Sequence, residues 1–325
     1  MRVRPGRGSR PRSRLRPRHD EAVDGRVITV DRGRFTVHLD SPGKGPSVVG
    51  AVKARELGRR GIAVGDRVAL VGDLSGGPDA LARIVRVHER TSVLRRTADD
   101  TDPVERVLVA NADQLVVVVA LADPQPQARL IDRCLVAAYD AGLDPLLCLT
   151  KADLASPDEL LATYAALDPS YVVTTRGEEP AALREHLRDR VSVLVGSSGV
   201  GKSTLVNALV PGTDRETGVV NAVTGRGRHT SSSAVALELP EGGWVIDTPG
   251  VRSFGLAHVT PDRILSAFTD LLPGTTECPR GCTHDEPDCA LDEWVAAGHA
   301  DPARLDSLRR LLAVPQRGDE ADPAT

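Results

Sequence analysis

Residues 191–195, VSVLV, form an unbroken apolar run that stops at Gly196 and continues as GSSGVGKST over 196–204 and the helix-forming TLVNAL over 204–209. A glycine-rich turn between a buried strand and a helix, closed by Lys-Ser-Thr, leaves few folds open. Its backbone N–H groups converge on an anion at the helix N-terminus, and the strand before it belongs inside a mostly parallel sheet. Gly196, Ser197, Ser198, Gly199, Val200 and Gly201 would cradle the phosphates, with Lys202 reaching the β- and γ-phosphates. The Ser203 hydroxyl would ligate Mg²⁺, and Thr204 completes the motif.

The surrounding pattern supplies such a sheet. Apolar strands are predicted at 115–122, 145–149, 171–174 and 244–247, with helices at 127–141, 157–166 and 180–188 between them. A terminal helix is predicted over 302–312, and no internal repeat is visible. Short alternating segments at 26–31, 34–39, 66–71 and 82–87, separated by glycine-rich turns, read instead as a small all-β barrel of the OB type. The chain is therefore read as a multidomain α/β protein of 325 residues. No apolar run reaches the roughly 18 residues that a membrane helix needs. The first residues, MRVRPGR, have no apolar stretch behind them, so the expected compartment is the cytoplasm, without membrane partners.

Charge is unevenly spread. Residues 1–18 carry eight arginines and no acid; residues 1–96 hold 22 basic and 10 acidic side chains, a balance of +12, and the rest balances at −16. That basic end should seek a polyanion. The barrel segment holds one aromatic, Phe35, so RNA contact there would read backbone and shape rather than stack on bases.

DTPG at 247–250 fits a DxxG motif at a strand end, in which Asp247 holds Mg²⁺ through water and the Gly250 N–H senses the γ-phosphate. Between the two motifs, GRGRHTSS at 225–232 would fold over the ion as a switch, with Thr230, Ser231 or Ser232 as ligand. Guanine is read by an [N/T]KxD motif whose Asp accepts from two donors that adenine lacks. Lys202 is the last lysine, so that motif can only lie upstream, at Thr150, Lys151 and Asp153, after the strand at 145–149. The motif order is permuted. Thr174 and Thr175 follow the next strand as a second base-side loop. Downstream, Cys278, Cys282, His284 and Cys289 place three thiols and one imidazole within twelve residues, a set suited to one closed structural Zn²⁺ per chain; Cys134 and Cys148 lie on apolar segments and read as core.

In the order TKAD, GSSGVGKST, RHTSS, DTPG and then the Cys/His cluster, the chain resembles the ribosome small-subunit-dependent GTPase A family of circularly permuted GTPases. HERTSVLR at 88–95 and ANADQ at 110–114 resemble the family's joint between barrel and GTPase domains. Residues 1–19, rich in Arg, Pro, Gly and Ser, are expected to be a disordered basic arm. The resemblance implies an OB-fold RNA-binding domain at 20–96, a permuted GTPase domain at 97–255, and a zinc-binding helical domain at 256–325. It implies GTP and GDP as ligands, the small ribosomal subunit and its rRNA as partners, and a role in late subunit maturation with hydrolysis stimulated by that particle. A monomer is expected, since no extended apolar heptad is present. Thr150 stands where the family usually has Asn, and the gaps 278–282 and 284–289 are each one residue shorter than usual. Val251 occupies the place of the water-orienting Gln of many GTPases, which leaves His229 as the intramolecular candidate. The permutation also sends switch movement through 251–255 toward the Cys/His cluster. Two rivals remain at this level: a permuted GTPase acting on the large subunit, and a non-hydrolysing RNA-binding protein with a vestigial nucleotide site.

Removal of residues 1–18 is expected to weaken subunit binding and flatten its log–log salt dependence, because released counterions scale with the phosphates neutralised. Subunit-free hydrolysis should stay unchanged. An identical salt slope for the truncated chain would show the arm to be a bystander.

Overall fold

The computed structural model describes residues 19–43, 45–59, 61–77, 79–96, 105–212, 234–248, 256 and 259–313. The first five strands are β1 (Val23–Asp31), β2 (Arg34–Leu39), β3 (Val48–Lys53), β4 (Arg67–Gly72) and β5 (Ala82–Val87). β1 pairs antiparallel with both β2 and β4, β2 with β3, β3 runs parallel to β5, and β5 closes antiparallel on β4. This is a closed five-stranded barrel whose interior holds Val27, Phe35, Val37, Leu70 and Ile84 among others. β3 had no clear signal in the sequence: Gly50 interrupts its short apolar run and weakens the strand pattern.

A two-stranded ribbon, β6 (Val93–Arg96) with β7 (Arg106–Ala110), links the barrel to the parallel sheet. Then follow β8 (Gln114–Ala120), α1 (Ala128–Ala141), β9 (Asp144–Thr150), α2 (Asp158–Tyr164), β10 (Ser170–Val173), α3 (Ala181–Leu187), β11 (Val191–Val195) and α4 (Lys202–Leu209). β12 (Val235–Glu238) and β13 (Trp244–Asp247) complete the sheet. The order is β10-β9-β8-β11-β13-β12, parallel except for β12, and it continues through β1 into the barrel as one eleven-stranded sheet among the described residues. All seven residues of β8 and all five of β11 are buried, which explains why neither strand alternates. Successive residues of β8 serve two cores. Leu115, Val117 and Val119 pack with α1, while Val116, Val118 and Ala120 join Leu183 and Leu187 of α3 and Leu205, Val206 and Leu209 of α4.

The C-terminal part contributes α5 (Pro261–Leu265), α6 (Ala290–Ala296) and α7 (Pro302–Leu312). α7 begins as the sequence predicts: Pro302 opens it, and the Asp301 side chain accepts from the Ala303 N–H at 2.8 Å. Ile264, Leu305, Leu308 and Leu311 share one core with α1, so this part is seated on the GTPase sheet.

The barrel is joined to that sheet just as closely. Gly65 takes φ +89°, and a Cβ there would stand 2.0 Å from the Ala110 carbonyl oxygen, so only glycine permits the approach. The Gly65 carbonyl accepts from Asn111 Nδ2 at 3.1 Å, and Ala110 N donates to the Val64 carbonyl at 2.9 Å. Beside them Asp66, fully buried, receives Arg90 Nε at 2.7 Å, Arg90 Nη2 at 2.8 Å and the Ala63 N–H at 2.8 Å. Loss of one partner from such a pair leaves an uncompensated buried charge. Arg90→Ala is therefore expected to cost about 3 kcal/mol. Denaturant titration checks this, and an unchanged midpoint would show that Asp66 is satisfied without Arg90.

Candidate nucleotide site and metal centre

β11 ends at Val195 between β8 and β13, its parallel neighbours, and delivers the glycine-rich turn to the carboxyl edge of the sheet. Gly196 has φ +150°, and a Cβ there would lie 2.4 Å from the Val118 carbonyl, so the turn presses backbone on backbone. α4 starts at Lys202 rather than at 204, placing Ser203 and Thr204 in the first turn beside the N-terminal end of the helix dipole. Lys202 Nζ donates to the carbonyls of Gly196 and Ser197, which holds its ammonium across the mouth of the loop. Burial lowers the pKa of Lys202, and the Asp247 carboxylate opposes that shift. Asp247, buried at the end of β13, stands in register with Leu194 of β11; the next residue, Thr248, donates from Oγ1 to the Leu194 carbonyl at 2.8 Å.

The upstream loop arrives at the same place. Thr150 is buried at the end of β9, and its Oγ1 donates to the Val200 carbonyl at 2.6 Å, tying TKAD directly to the phosphate turn. Lys151 has φ +59°, and its Nζ donates to the Asp123 carbonyl. Asp153 is exposed on this loop, open to a ligand edge. Ala152 N donates to the Thr174 carbonyl at 3.3 Å, which brings the loop after β10 alongside. Residues 50 apart in sequence, Thr150 and Val200, are thus bonded neighbours. His229, Thr230, Ser231, Ser232, Gly250 and Val251 lie outside the described residues.

Some distance along the chain, Cys278, Cys282, His284 and Cys289 bring their ligand atoms within 4.8 Å of one another. Cys278 Sγ is 3.9 Å from Cys289 Sγ, and His284 Nδ1 is 3.7 Å and 3.8 Å from those two sulfurs. A tetrahedron with Zn–S bonds of about 2.3 Å has edges of about 3.8 Å, so the donor set fits such an ion. His284 reaches its position with φ +69°. The loop is held from outside as well: the Arg309 Nε of α7 donates to the His284 carbonyl at 2.7 Å, and its terminal nitrogens pair with Asp292 at 3.0 and 2.7 Å. The Glu286 carboxylate accepts from Thr283 N and Oγ1 and from Cys282 Sγ, and the Thr283 bonds pull its pKa to about 2. Burial pushes the Cys282 and Cys289 thiols up, the direction a bound cation must reverse. Cys134 and Cys148 are fully buried in the cores, their thiols pushed up to about 12 by burial, and take no part.

Comparison with known proteins decides the family. The model of the RsgA GTPase family matches residues 87–257. The chain is 39% identical over 272 residues to the small ribosomal subunit biogenesis GTPase RsgA of Gemmatimonas aurantiaca, covering 82% of this chain and 88% of that one.

The chain belongs to the RsgA GTPase family.

An RsgA relative from Chlorobaculum parvum is 37% identical over 308 residues, 90% of this chain and 98% of its own. The crystal structure of YjeQ from Thermotoga maritima superposes with a TM-score of 0.64 at 26% identity, covering 91% of this chain and 99% of that one. A circularly permuted GTPase, YloQ, superposes equally well at 24% identity and shares the fold. An RsgA GTPase thus carries its OB-type barrel, permuted P-loop domain and Cys₃His-bearing C-terminal part on one continuous framework.

The Cys₃His set yields a direct expectation. Elemental analysis should find about one zinc per chain, and Cys282→Ser should lose the metal and loosen residues 259–313, since ligation supplies much of the folding energy of so small a module. Protein without metal that melts unchanged after chelation would remove the centre.

Proposed function

We propose that this chain is a GTP-hydrolysing assembly factor that binds the small ribosomal subunit through its rRNA, assists late maturation, and hydrolyses GTP faster on that particle. The observation that carries the reading is the bond from Thr150 Oγ1 to the Val200 carbonyl. It ties the loop at 150–153, which precedes the glycine-rich turn in sequence, to that turn, and Asp247 stands on the next strand but one from β8; this supports reading 150–153 as the guanine-side loop. The names of the relatives, small ribosomal subunit biogenesis GTPases, support the choice of particle.

In this reading the domains are a basic arm at 1–19, an RNA-binding barrel at 20–96, the GTPase at 97–255 and a zinc-holding part at 256–325. Gly196 to Thr204 enclose the phosphates, and Asp153 accepts from the guanine N1–H and exocyclic amine, with Thr150 and Lys151 holding that loop against the phosphate turn. Ser203, Asp247 through water and the Thr230 hydroxyl would hold Mg²⁺, which would supply positive charge to offset that developing on the phosphates. Gly250 senses the γ-phosphate. Water attacks the γ-phosphorus as the bond to the β-phosphate oxygen breaks, and Val251, lacking any polar group, gives that water no orientation. His229 then orients it, in a site completed when the subunit is engaged. The zinc centre, with ligands Cys278, Cys282, His284 and Cys289, is structural and offers no open position for chemistry. The factor works as a monomer in the cytoplasm, and among the described residues no helix is long and apolar enough to cross a membrane.

Phosphate release with GTP alone, with small subunits and with large subunits tests the reading. Stimulation by the small subunit alone is expected. Asp153→Asn should lose GTP preference, since charge-assisted bonds of about 1.5–3 kcal/mol each are at stake. His229→Ala should keep nucleotide and subunit binding yet lose about 10²-fold in turnover at saturating subunits. Stimulation by large subunits instead, or no hydrolysis under any condition, would replace this reading with one of its two rivals.

A further inference from the structure

One rung of paired residues crosses from the barrel into the nucleotide sheet. Thr29 of β1 stands opposite Val235 of β12, Val235 opposite Asp247 of β13, and Asp247 opposite Leu194 of β11. Neighbouring strands lie about 4.8 Å apart, so two spacings, about 10 Å, separate a barrel strand from the strand that ends in Asp247. Beyond the register shift in β1 between Val27 and Thr29, Thr29 keeps Thr36 of β2 on one side, and past the residues that pair with β4 its other edge meets Val235.

The other end of the β12–β13 hairpin is gripped too. Glu238 pairs across the hairpin with Trp244, and both meet the barrel. His38 Nε2 of β2 lies 3.3 Å from Glu238 Oε2. The His38 ring meets the Trp244 ring edge-on, 5.1 Å between centroids at 72°. The Arg26 guanidinium of β1 sits 5.6 Å from the centre of the Trp244 ring and donates from Nη1 to the Gly65 carbonyl at 3.4 Å. The hairpin is therefore clamped by the barrel at its Val235 end and at its Glu238–Trp244 end. It leads directly into Asp247 and Thr248.

We propose that this clamp carries engagement of the barrel into the nucleotide site, with Arg26, His38, Glu238 and Trp244 as positioning residues that set where Asp247 stands. A strand ladder transmits displacement because it cannot slip: a shift of one residue would send every side chain of β12 to the wrong face. Because the Thr29–Val235 pair and the contacts at Glu238 and Trp244 hold both ends of the hairpin, force on the barrel is delivered to β12 and β13. The His38–Glu238 contact is partly exposed, so it adds little to stability, and its variants should fold. The proposal rests on the reading that the barrel grips subunit RNA. If the clamp sets where Asp247 stands, a change at the γ-phosphate should also be felt at the clamp without any subunit present.

Trp244 offers that readout. The chain has two tryptophans, so Trp294→Phe leaves Trp244 as the sole emitter. Its emission should change when GDP is exchanged for a non-hydrolysable GTP analogue, and the change should shrink when His38→Gln and Glu238→Gln are added. In the full-length chain with Trp294 intact, the His38→Gln, Glu238→Gln protein should bind GTP and small subunits as tightly as wild type and keep its subunit-free hydrolysis. Its turnover at saturating subunits should fall about fivefold or more, the lower range of measured couplings between sites. Wild-type turnover at saturation, whether or not subunit affinity has dropped, overturns the proposal, as does Trp244 emission indifferent to nucleotide in folded protein. Should the wild-type chain fail to bind subunits at all, the proposed function falls, and the emission measurement alone decides the clamp.

Discussion

A strand covered on both faces can satisfy its main-chain donors and acceptors only in neighbouring strands, and this requirement organises the whole molecule. β8 and β11 are buried throughout, so they must lie inside the sheet. β13 takes the next place and β12 covers its far edge; β12 in turn finds β1. The barrel is thereby the continuation of the nucleotide sheet rather than a bead on a tether. Gly65 against Ala110 and Arg90 on buried Asp66 fix the same relation from the other side. Three cores result, and the edge of β12 that faces the barrel meets β1 at the Thr29–Val235 pair.

The C-terminal part is attached by a different physics. Among the described residues no strand reaches it; α5 and α7 lay leucines and isoleucine onto α1, and cationic side chains sit over aromatic faces. Arg304 packs over Phe268 at 4.8 Å while pairing with Asp270, and Arg310 lies over Tyr164 at 5.0 Å. Arg309 carries this seam to the metal loop through the His284 carbonyl and Asp292. The same helix that docks on the GTPase core thus braces the Cys₃His set, so the packing of α7 and the placement of the four candidate ligands depend on each other.

How much of this was legible depends on whether the signal was local. The apolar runs of β8, β9 and β11 and the capped α7 were plain, because burial on both faces and helix-end chemistry are written in consecutive residues. β3, broken by Gly50, was not, and neither was β12, whose four residues VALE carry no alternation to distinguish a strand from a helical turn. The ribbon of β6 and β7 passed unnoticed because its residues pair with each other across 97–104 rather than with a run that announces a sheet. The start of α4 at Lys202, two residues before the stretch read as helical, reflects main-chain bonding that the glycine-rich motif conceals.

The order of the motifs and the chemistry of their side chains were set by the sequence alone: a phosphate turn after a buried strand, an aspartate after another, a Lys-Ala-Asp loop that could only be upstream, and four soft ligands within twelve residues. These are short-range patterns, and short-range patterns survive without a partner. Only the tertiary structure decided that the Thr150 hydroxyl takes the Val200 carbonyl, that Thr29, Val235 and Asp247 share a rung, and that Trp244 sits between Arg26 and His38. Those contacts join residues separated by tens to hundreds of positions, and their existence depends on which buried edge each strand must satisfy, a choice made by the whole sheet at once.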